Sequence, residues 1–335
     1  MASILWELIG LFLKHCRKNL GTYLGLVVSA LCVLSLFKLV DKDKVLSELG
    51  SANYALCALA LLTVALSYFL RSLRWPFFLD RGLLSFWSSF YCLVIGFLMN
   101  NLLPARAGEL LRAHYGGRIT GRSRFYILAT IAVERLADGL SISAIFVVAY
   151  CISSQLAAAS PSGELLLVSL LFFVASLLSY VLVLFRSRIQ SLLNSLGGRF
   201  ALASYSAEKV AFFLDGLGGL ATARSFLAAL PLSLFIWSVE LCVCYELCLA
   251  FSSPPSLAKV AIFLAAVNFS SLIPSAPGAI GVIEFFGSYS LVQLGVEESK
   301  AFAMVSVHHA IQMAVVGLFG SLAFLRFKGF SPSST

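Results

Sequence analysis

Charged residues are scarce in this sequence. They make up 12% of its 335 amino acids, whereas 60% are hydrophobic and the mean hydropathy is +0.94. Long polar stretches are lacking too, because even residues 186–224 keep apolar side chains at helical spacing. These absences exclude a water-soluble catalytic domain. Apolar segments of about twenty residues, enough to cross roughly 30 Å of hydrocarbon, recur along the chain. The sequence therefore predicts an all-α, polytopic membrane protein, with residues 1–335 forming one membrane domain.

Metal-binding patterns are also lacking. Cys242, Cys244 and Cys248 share one predicted helix without a nearby histidine or a Cys-x-x-Cys pair, so we expect structural thiols, no metal and no cofactor. The net charge of +8 lies in loops beside apolar segments rather than in a basic module interleaved with aromatic residues. This pattern argues against nucleic acid and indicates anionic lipid head groups as partners.

Six segments are predicted to cross the membrane: residues 20–40, 53–73, 125–150, 165–185, 225–250 and 301–325. Basic residues cluster before, between and after them, in 1–19, 71–124, 186–224 and 326–335. The positive-inside rule predicts that these four regions, and so both termini, face the cytoplasm of a cell membrane. Charged and apolar residues are mixed within residues 187–217 of the third region. This mixture predicts either an amphipathic linker lying against the membrane or an ordinary loop helix packed on the bundle.

Two apolar segments are broken at matching positions. The sequence from Asn101 to Glu109, with Pro104 and Gly108, recurs in degenerate form around Pro274 and Gly278, and both Pro and Gly are offset by 170 residues. An unsatisfied backbone group in hydrocarbon costs several kcal/mol, so such breaks persist only where protein or a watery cavity satisfies them. A kinked but inert helix pair is the alternative at the second break.

The same basic residues predict the topology of the breaks. Arginines on both sides of the first break favour the same face of the membrane, so the first broken segment should re-enter rather than cross. If the second does likewise, residues 20–150 and 165–325 are half-repeats of an inverted repeat, a layout found in many transporters. A full crossing by residues 281–294 is the alternative.

Three ionisable residues lie within a predicted crossing. Glu134, Arg135 and Asp138 fall about 13 Å or more along the helix of residues 125–150. Each costs roughly 2.5–3.5 kcal/mol at such a depth on insertion scales. One cation neutralises only part of this group, so we expect a further partner, with Arg106 and Arg112 as candidates. A buried ion-pair network that only fastens the helices is the alternative to a functional site.

The candidate site combines these features. Guanidinium groups and free backbone at the first break suit a phosphate or another anionic head group, although Glu109 argues against a purely anion-binding pocket. Histidines in the last crossing could relay protons or form neutral interhelical hydrogen bonds. We assign no catalytic residue. The candidates for substrate binding or transport are Asn101, Pro104, Arg106, Gly108, Glu109, Arg112, Glu134, Arg135, Asp138, Pro274, Pro277, Gly278, Gly281 and Glu284, with Glu240, His308 and His309 as secondary candidates.

Three motifs carry a family resemblance. They are Asn101-Leu-Leu-Pro-Ala-Arg-Ala-Gly-Glu-Leu-Leu-Arg112, Glu134-Arg-Leu-Ala-Asp138, and Pro274-Ser-Ala-Pro-Gly-Ala-Ile-Gly-Val-Ile-Glu284. In order and spacing they resemble the membrane domain of lysylphosphatidylglycerol synthase and flippase proteins over about residues 20–325. The resemblance implies an integral membrane protein that moves or presents a polar lipid, such as an aminoacyl phospholipid or a polyprenyl-linked sugar. The namesake proteins make the aminoacylated lipid with a separate cytosolic domain, so we do not expect lysyl transfer by this chain.

The leading hypothesis is a lipid flippase or transporter of a polar, anionic or aminoacylated lipid. One alternative is a membrane enzyme that transfers an aminoacyl or glycosyl group to a lipid carrier, with Glu109 or Glu134 as general base. Another is an accessory subunit that serves a separate lipid-modifying transferase.

Overall fold

The computed structural model describes residues 23–79, 82–103, 107–152, 223–271 and 273–326, together with eight isolated residues between 167 and 191. These ranges contain α-helices and 3-10 turns and no strand, which confirms the all-α fold class. The helices are α1 (Tyr23–Leu39), α2 (Lys42–Ser51), α3 (Tyr54–Arg74), α4 (Phe86–Leu102), α5 (Ala107–Thr120), α6 (Arg124–Ile152), α7 (Ala223–Ala250), α8 (Leu257–Ser270), α9 (Val282–Val292) and α10 (Glu298–Arg326).

Five of the six predicted crossing segments correspond to helices, namely α1, α3, α6, α7 and α10. Tyr54–Phe78, Ala229–Ala250 and Glu298–Arg326 are long and apolar enough to cross a membrane, and α1 with α2 passes the same test as a pair bent by 87°. The prediction for residues 165–185 and that for the linker at 187–217 lie outside the described ranges, as do the two termini. The helices agree with a multi-pass membrane protein.

The first broken segment folds as a helical hairpin of α4 and α5, which pack on each other. Helix α4 ends where Leu103 turns extended, with φ −112° and ψ 146°, as expected for a residue that precedes a proline. The two helices approach closely at Gly96 and Gly108, because a Cβ at Gly108 would collide with the carbonyl oxygen of Gly96. The Gly108 N–H also donates to Asn100 Oδ1 at 2.9 Å.

The second broken segment forms a hairpin of α8 and α9. Its break contains a 3-10 turn at Pro277–Ala279, and both Gly278 and Gly281 have positive φ angles, 70° and 86°. Glycine adopts such angles without the steric cost that other residues meet. Helix α9 has 11 residues, so it is about 16 Å long and too short to cross the hydrocarbon core by itself. The length of α9 therefore favours re-entry over a full crossing by residues 281–294.

Helix α8 lies at the centre of the described bundle. Ten of its 14 residues are buried, and it packs against α6, α7 and α9. The outer helices instead expose large apolar side chains such as Leu62 of α3 and Leu318 of α10. Because the exterior is apolar, the polar chemistry of the bundle is directed inward.

Candidate functional site

Eight charged side chains on α3, α5, α6 and α7 form one buried cluster. It is formally neutral, because it holds four cations and four carboxylates. Ion pairs of 4 Å or less connect all of them, and they are Arg71, Arg74, Arg112, Arg135, Glu109, Glu134, Asp138 and Glu240. In an apolar medium an uncompensated charge is costly, so this balance is what allows the cluster to form.

The most deeply buried part of the cluster joins α3 and α5 to α6. Arg112 makes a two-pronged contact with Glu134, at 2.7 Å and 3.3 Å, and its guanidinium lies 3.9 Å from the centre of the Trp75 ring. Arg74 is fully buried and bridges Asp138 at 2.6 Å and Glu134 at 3.4 Å. Paired contacts of this kind fix geometry as well as charge.

A second part of the cluster reaches α7. Arg71 lies 3.2 Å from Glu240 and 3.8 Å from Asp138. Glu240 also accepts hydrogen bonds from Ser67 at 2.5 Å and from Gln312 at 2.9 Å. The partner that sequence analysis expected for Glu240 is thus Arg71, supported by two polar side chains.

Three of these arginines lie inside the bundle, although the sequence analysis counted them in a basic loop region. Arg71 and Arg74 were counted among the cytoplasmic loop charges, but they lie at the end of α3 and are buried. Arg112 was counted in the same way and is buried too, although it was also named correctly as a candidate partner of Glu134. Among the described residues of that region, the exposed cations are those around the turn from α5 to α6, Arg118, Arg122 and Arg124. The three-residue spacing of Arg71 and Arg74, on one face of an otherwise apolar helix, was the signal for an internal role.

A cavity of about 550 Å³ lies beside the cluster, and both helix breaks contribute to its wall. The first break contributes Asn100, Asn101 and Leu103, and the second contributes residues 273–279. The charged and polar side chains that also line it include Tyr68, Arg71, Glu109, Arg135, Glu240, Asn268, Ser271, His308, His309 and Gln312. The structure therefore brings the two sequence breaks to one polar cavity.

Arg135 differs from the other arginines of the cluster. Its side chain is 31% exposed, whereas those of Arg71, Arg74 and Arg112 are 7% exposed or less. Its ion pairs are also among the longer ones, from 3.2 Å to Asp138 to 3.5 Å to Glu109. Arg135 is thus the most accessible cation of the cluster on the cavity wall.

The second half supplies a carboxylate–imidazole pair. Glu284 Oε1 lies 2.5 Å from Nδ1 of His309, and Glu284 Oε2 accepts a hydrogen bond from the Gly281 N–H at 2.6 Å. Helix α1 contacts the same break, because Ser29 Oγ accepts from the Ala276 N–H at 2.9 Å.

The predicted site residues divide into three groups. Those on the cavity wall are Asn101, Glu109, Arg135, Glu240, Pro274, Pro277, Gly278, His308 and His309. Those that support the wall from behind are Gly108, Arg112, Glu134, Asp138, Gly281 and Glu284. Pro104 and Arg106 lie outside the described residues.

Long apolar helices, buried charge pairs and two broken hairpins define this chain as a multi-pass membrane protein. Residues 23–320 match the family described as "Lysylphosphatidylglycerol synthase TM region". The chain belongs to this family, which confirms the resemblance carried by the three motifs.

Several relatives share most of the chain. The glycosyltransferase AglD of Haloferax volcanii is 28% identical over 92% of this chain, which spans 55% of AglD, or about half of its length. The UPF0104 membrane protein PH1989 of Pyrococcus horikoshii is 21% identical, and the match covers 93% of this chain and 99% of that protein. The UPF0104 membrane protein MJ1078 of Methanocaldococcus jannaschii is 25% identical over 68% of this chain and 92% of its own length.

Proposed function

We propose that this protein is a lipid transporter that carries a polar, anionic or aminoacylated head group through the cavity between its two helix breaks. The observation that supports this most directly is a cavity that is bounded by both breaks and has charged and polar side chains on its wall, among them the partly exposed guanidinium of Arg135. Its volume of about 550 Å³ falls within the roughly 300–1,000 Å³ typical of ligand sites.

Arg135 is the residue that we expect to bind the phosphate of the head group. Arg74 and Arg112 are enclosed by Glu134 and Asp138 at distances down to 2.6 Å, so they have little capacity for another anion. Arg135 keeps a partly exposed fork of N–H donors, the geometry that suits phosphate. A phosphate could replace Glu109, which lies 3.5 Å from Arg135 Nε.

The charge balance of the cluster also favours certain head groups. Because the eight side chains already sum to zero, a phosphate bound at Arg135 leaves one negative charge in excess. An amine on the same head group would restore the balance by pairing with Glu109 or Glu240, which both reach the cavity. A zwitterionic aminoacylated lipid would therefore fit more of the lining than a phosphate alone.

The breaks supply the remaining contacts. Asn101 reaches the cavity from the first break, and the backbone of residues 274–279 reaches it from the second. Irregular backbone offers N–H and C=O groups that a regular helix keeps for itself, which is how broken helices bind polar cargo within a membrane. Alternating exposure would then come from movement of one half against the other, in a cell membrane with both termini cytoplasmic.

A second candidate is an accessory role in glycosyl transfer to a lipid carrier. It is favoured by the similarity to AglD, which is named a glycosyltransferase and of which this chain spans about half. Of the two general bases that the sequence suggested, Glu109 is the accessible one, because Glu134 is fully buried and surrounded by three arginines. On this reading the chain would present a lipid to a separate transferase.

Leaflet exchange of labelled lipids in vesicles that contain the purified chain tests the proposal. The probes are an anionic phospholipid, an aminoacyl phospholipid and a polyprenyl phosphate. Loss of a charge-assisted hydrogen bond costs about 1.5–3 kcal/mol, so Arg135→Gln should slow exchange by roughly tenfold or more. Arg135→Lys, which keeps the charge but not the fork, should retain an intermediate rate.

The matched control is Lys300→Gln, which removes one cation that pairs with Glu48 and is not part of the cavity lining. It should exchange lipid at the wild-type rate. No exchange of any probe by folded wild-type protein would refute the transporter and favour the accessory role.

A further inference from the structure

The Glu284–His309 pair links the cavity to the backbone of the second break. Its side chains are 14% and 8% exposed, and His309 lines the cavity. The other carboxylate oxygen of Glu284 accepts a hydrogen bond from the N–H of Gly281, which is the N-cap residue of α9. A change of protonation at this pair therefore changes the charge at the cavity wall and at the hydrogen bond to the Gly281 N–H of the break.

Imidazole gains and loses a proton within the physiological pH range. With a neutral His309 the pair carries one negative charge, and with a protonated His309 it carries none. Because the eight-residue cluster is formally neutral, this single proton decides whether the cluster and the pair together, among the described residues, are negative or neutral.

A second imidazole adjoins the pair. His308 is 5% exposed and lines the cavity, and neither of its ring nitrogens has a hydrogen-bond partner in the part of the chain that the structure describes. Buried polar groups without partners are rare, and they call for an explanation such as an exchanging proton or water. His308 thus places two ring nitrogens without a described partner beside His309 on the cavity wall.

The other groups around the pair are limited among the described residues. The cavity faces of α3, α5, α6 and α7 contribute Arg71, Glu109, Arg135 and Glu240. The remaining neighbours are uncharged. Helix α3 also contributes the hydroxyl of Tyr68, which bonds Gln312, α1 contributes Ser29 and Val33, and α4 and α8 contribute asparagines. Glu109 and Glu240 each pair with an arginine, whereas the described contacts of His308 and His309 include no arginine.

We propose that the Glu284–His309 pair binds a proton that travels with the head group, so that the chain is a proton–lipid symporter. This inference rests on the transport function proposed above and names its driving force. When the pair is protonated, an anionic head group enters toward Arg135 without meeting an uncompensated carboxylate. When the pair is deprotonated, the two negative charges repel each other, so lipid and proton favour each other's binding by the same factor.

The chemistry of the cycle is a simple proton transfer. One proton is taken from water on one side of the membrane when the head group enters, and it is released to water on the other side when the head group leaves. No covalent bond other than that to the proton changes. For one proton per lipid, a pH difference of one unit should hold the lipid at about a tenfold difference between leaflets.

The test uses phosphatidylcholine vesicles with the purified full chain and a phosphatidylglycerol probe that carries a fluorophore on one acyl chain. A one-unit pH difference is imposed, and quenching from outside measures the probe in each leaflet. The wild type should enrich the probe about tenfold in the leaflet that faces the alkaline side. Glu284→Gln removes the negative charge of the pair, so it should exchange the probe with a ratio near one. His309→Gln leaves the Glu284 carboxylate uncompensated, so it should exchange the probe more slowly and also reach a ratio near one. If Glu284→Gln does not fold, as judged by its melting transition, His309→Gln carries the comparison.

The matched control is Glu246→Gln. The Glu246 carboxylate accepts a hydrogen bond from Thr63 at 3.0 Å, and Glu246 is not part of the cavity lining. This variant should keep the tenfold ratio. Wild-type exchange with a ratio near one would overturn the symport while leaving the transporter intact, and a tenfold ratio in both pair variants would overturn the assignment to this pair. Absence of any exchange would overturn both proposals.

Discussion

Neutralising Glu134 should destabilise the protein strongly, because it leaves a buried guanidinium without a counter-ion. Glu134 is fully buried and lies between 2.7 Å and 3.5 Å from three arginines. Arg74 would still have Asp138, but Glu134 is the carboxylate on which Arg112 depends among the described residues. Removing one partner of a buried pair costs about 3–5 kcal/mol.

The double variant separates charge balance from packing. Glu134→Gln leaves the cluster with one positive charge in excess, and Arg112→Gln leaves one negative charge. Together they restore neutrality, so the double variant should be more stable than either single one. At about 2 °C per kcal/mol, each single substitution should lower the melting midpoint by roughly 6–10 °C, and the double by less.

Thermal unfolding in one detergent, followed by intrinsic fluorescence, measures these differences. The control is Lys300→Gln, whose partly exposed pair with Glu48 at 3.5 Å is worth about 0–1 kcal/mol. Its midpoint should shift by about 2 °C or less. A wild-type midpoint for Glu134→Gln, or strictly additive losses in the double variant, would refute the argument that charge balance stabilises the cluster.

Two further predictions concern helix packing and topology. Gly320→Ala should lower the melting midpoint, because its Cβ would lie 2.7 Å from Leu98 Cβ, whereas Gly317→Ala in the same helix meets nothing within 4 Å and should keep or raise it. Equal shifts would contradict this. Cysteines introduced at Ser85 and Ser123, which flank the α4–α5 hairpin and are exposed, should react with an impermeant maleimide from the same side of the membrane. Labelling from opposite sides, mapped by mass spectrometry, would mean that the hairpin crosses.

The helices and their breaks were predictable because the signals are local. Apolar runs of about twenty residues define the long helices, and Pro104 accounts for the extended conformation of Leu103 and the end of α4. Likewise Pro277, Gly278 and Gly281 mark the second break through their restricted or permissive backbone angles. Each of these effects acts within a few residues, so one sequence is enough to find it.

The charge cluster was only partly predictable because its contacts are distant in sequence. Helical spacing related Glu134, Arg135 and Asp138, which lie on one helix, and the need for charge balance indicated Arg112. Neither argument could indicate that Arg74, which lies 64 residues from Asp138 in the sequence, makes the shortest contact with Asp138. A basic residue at the end of an apolar helix satisfies both the positive-inside rule and an internal ion pair, and only the packing of α3 against α6 and α7 distinguishes them.

Each hairpin is tied to the long helix that follows it, but by different chemistry. Arg112 of α5 binds Glu134 of α6, and Glu284 of α9 binds His309 of α10. An arginine keeps its charge at any physiological pH, so the first tie is permanent, whereas the second includes an imidazole, a type of group that can bind and release a proton. In an inverted repeat, which the sequence predicts, one half must hold its contacts while the other changes them. The Arg112–Glu134 pair would keep the first hairpin in place, and the Glu284–His309 pair would allow the second hairpin to move.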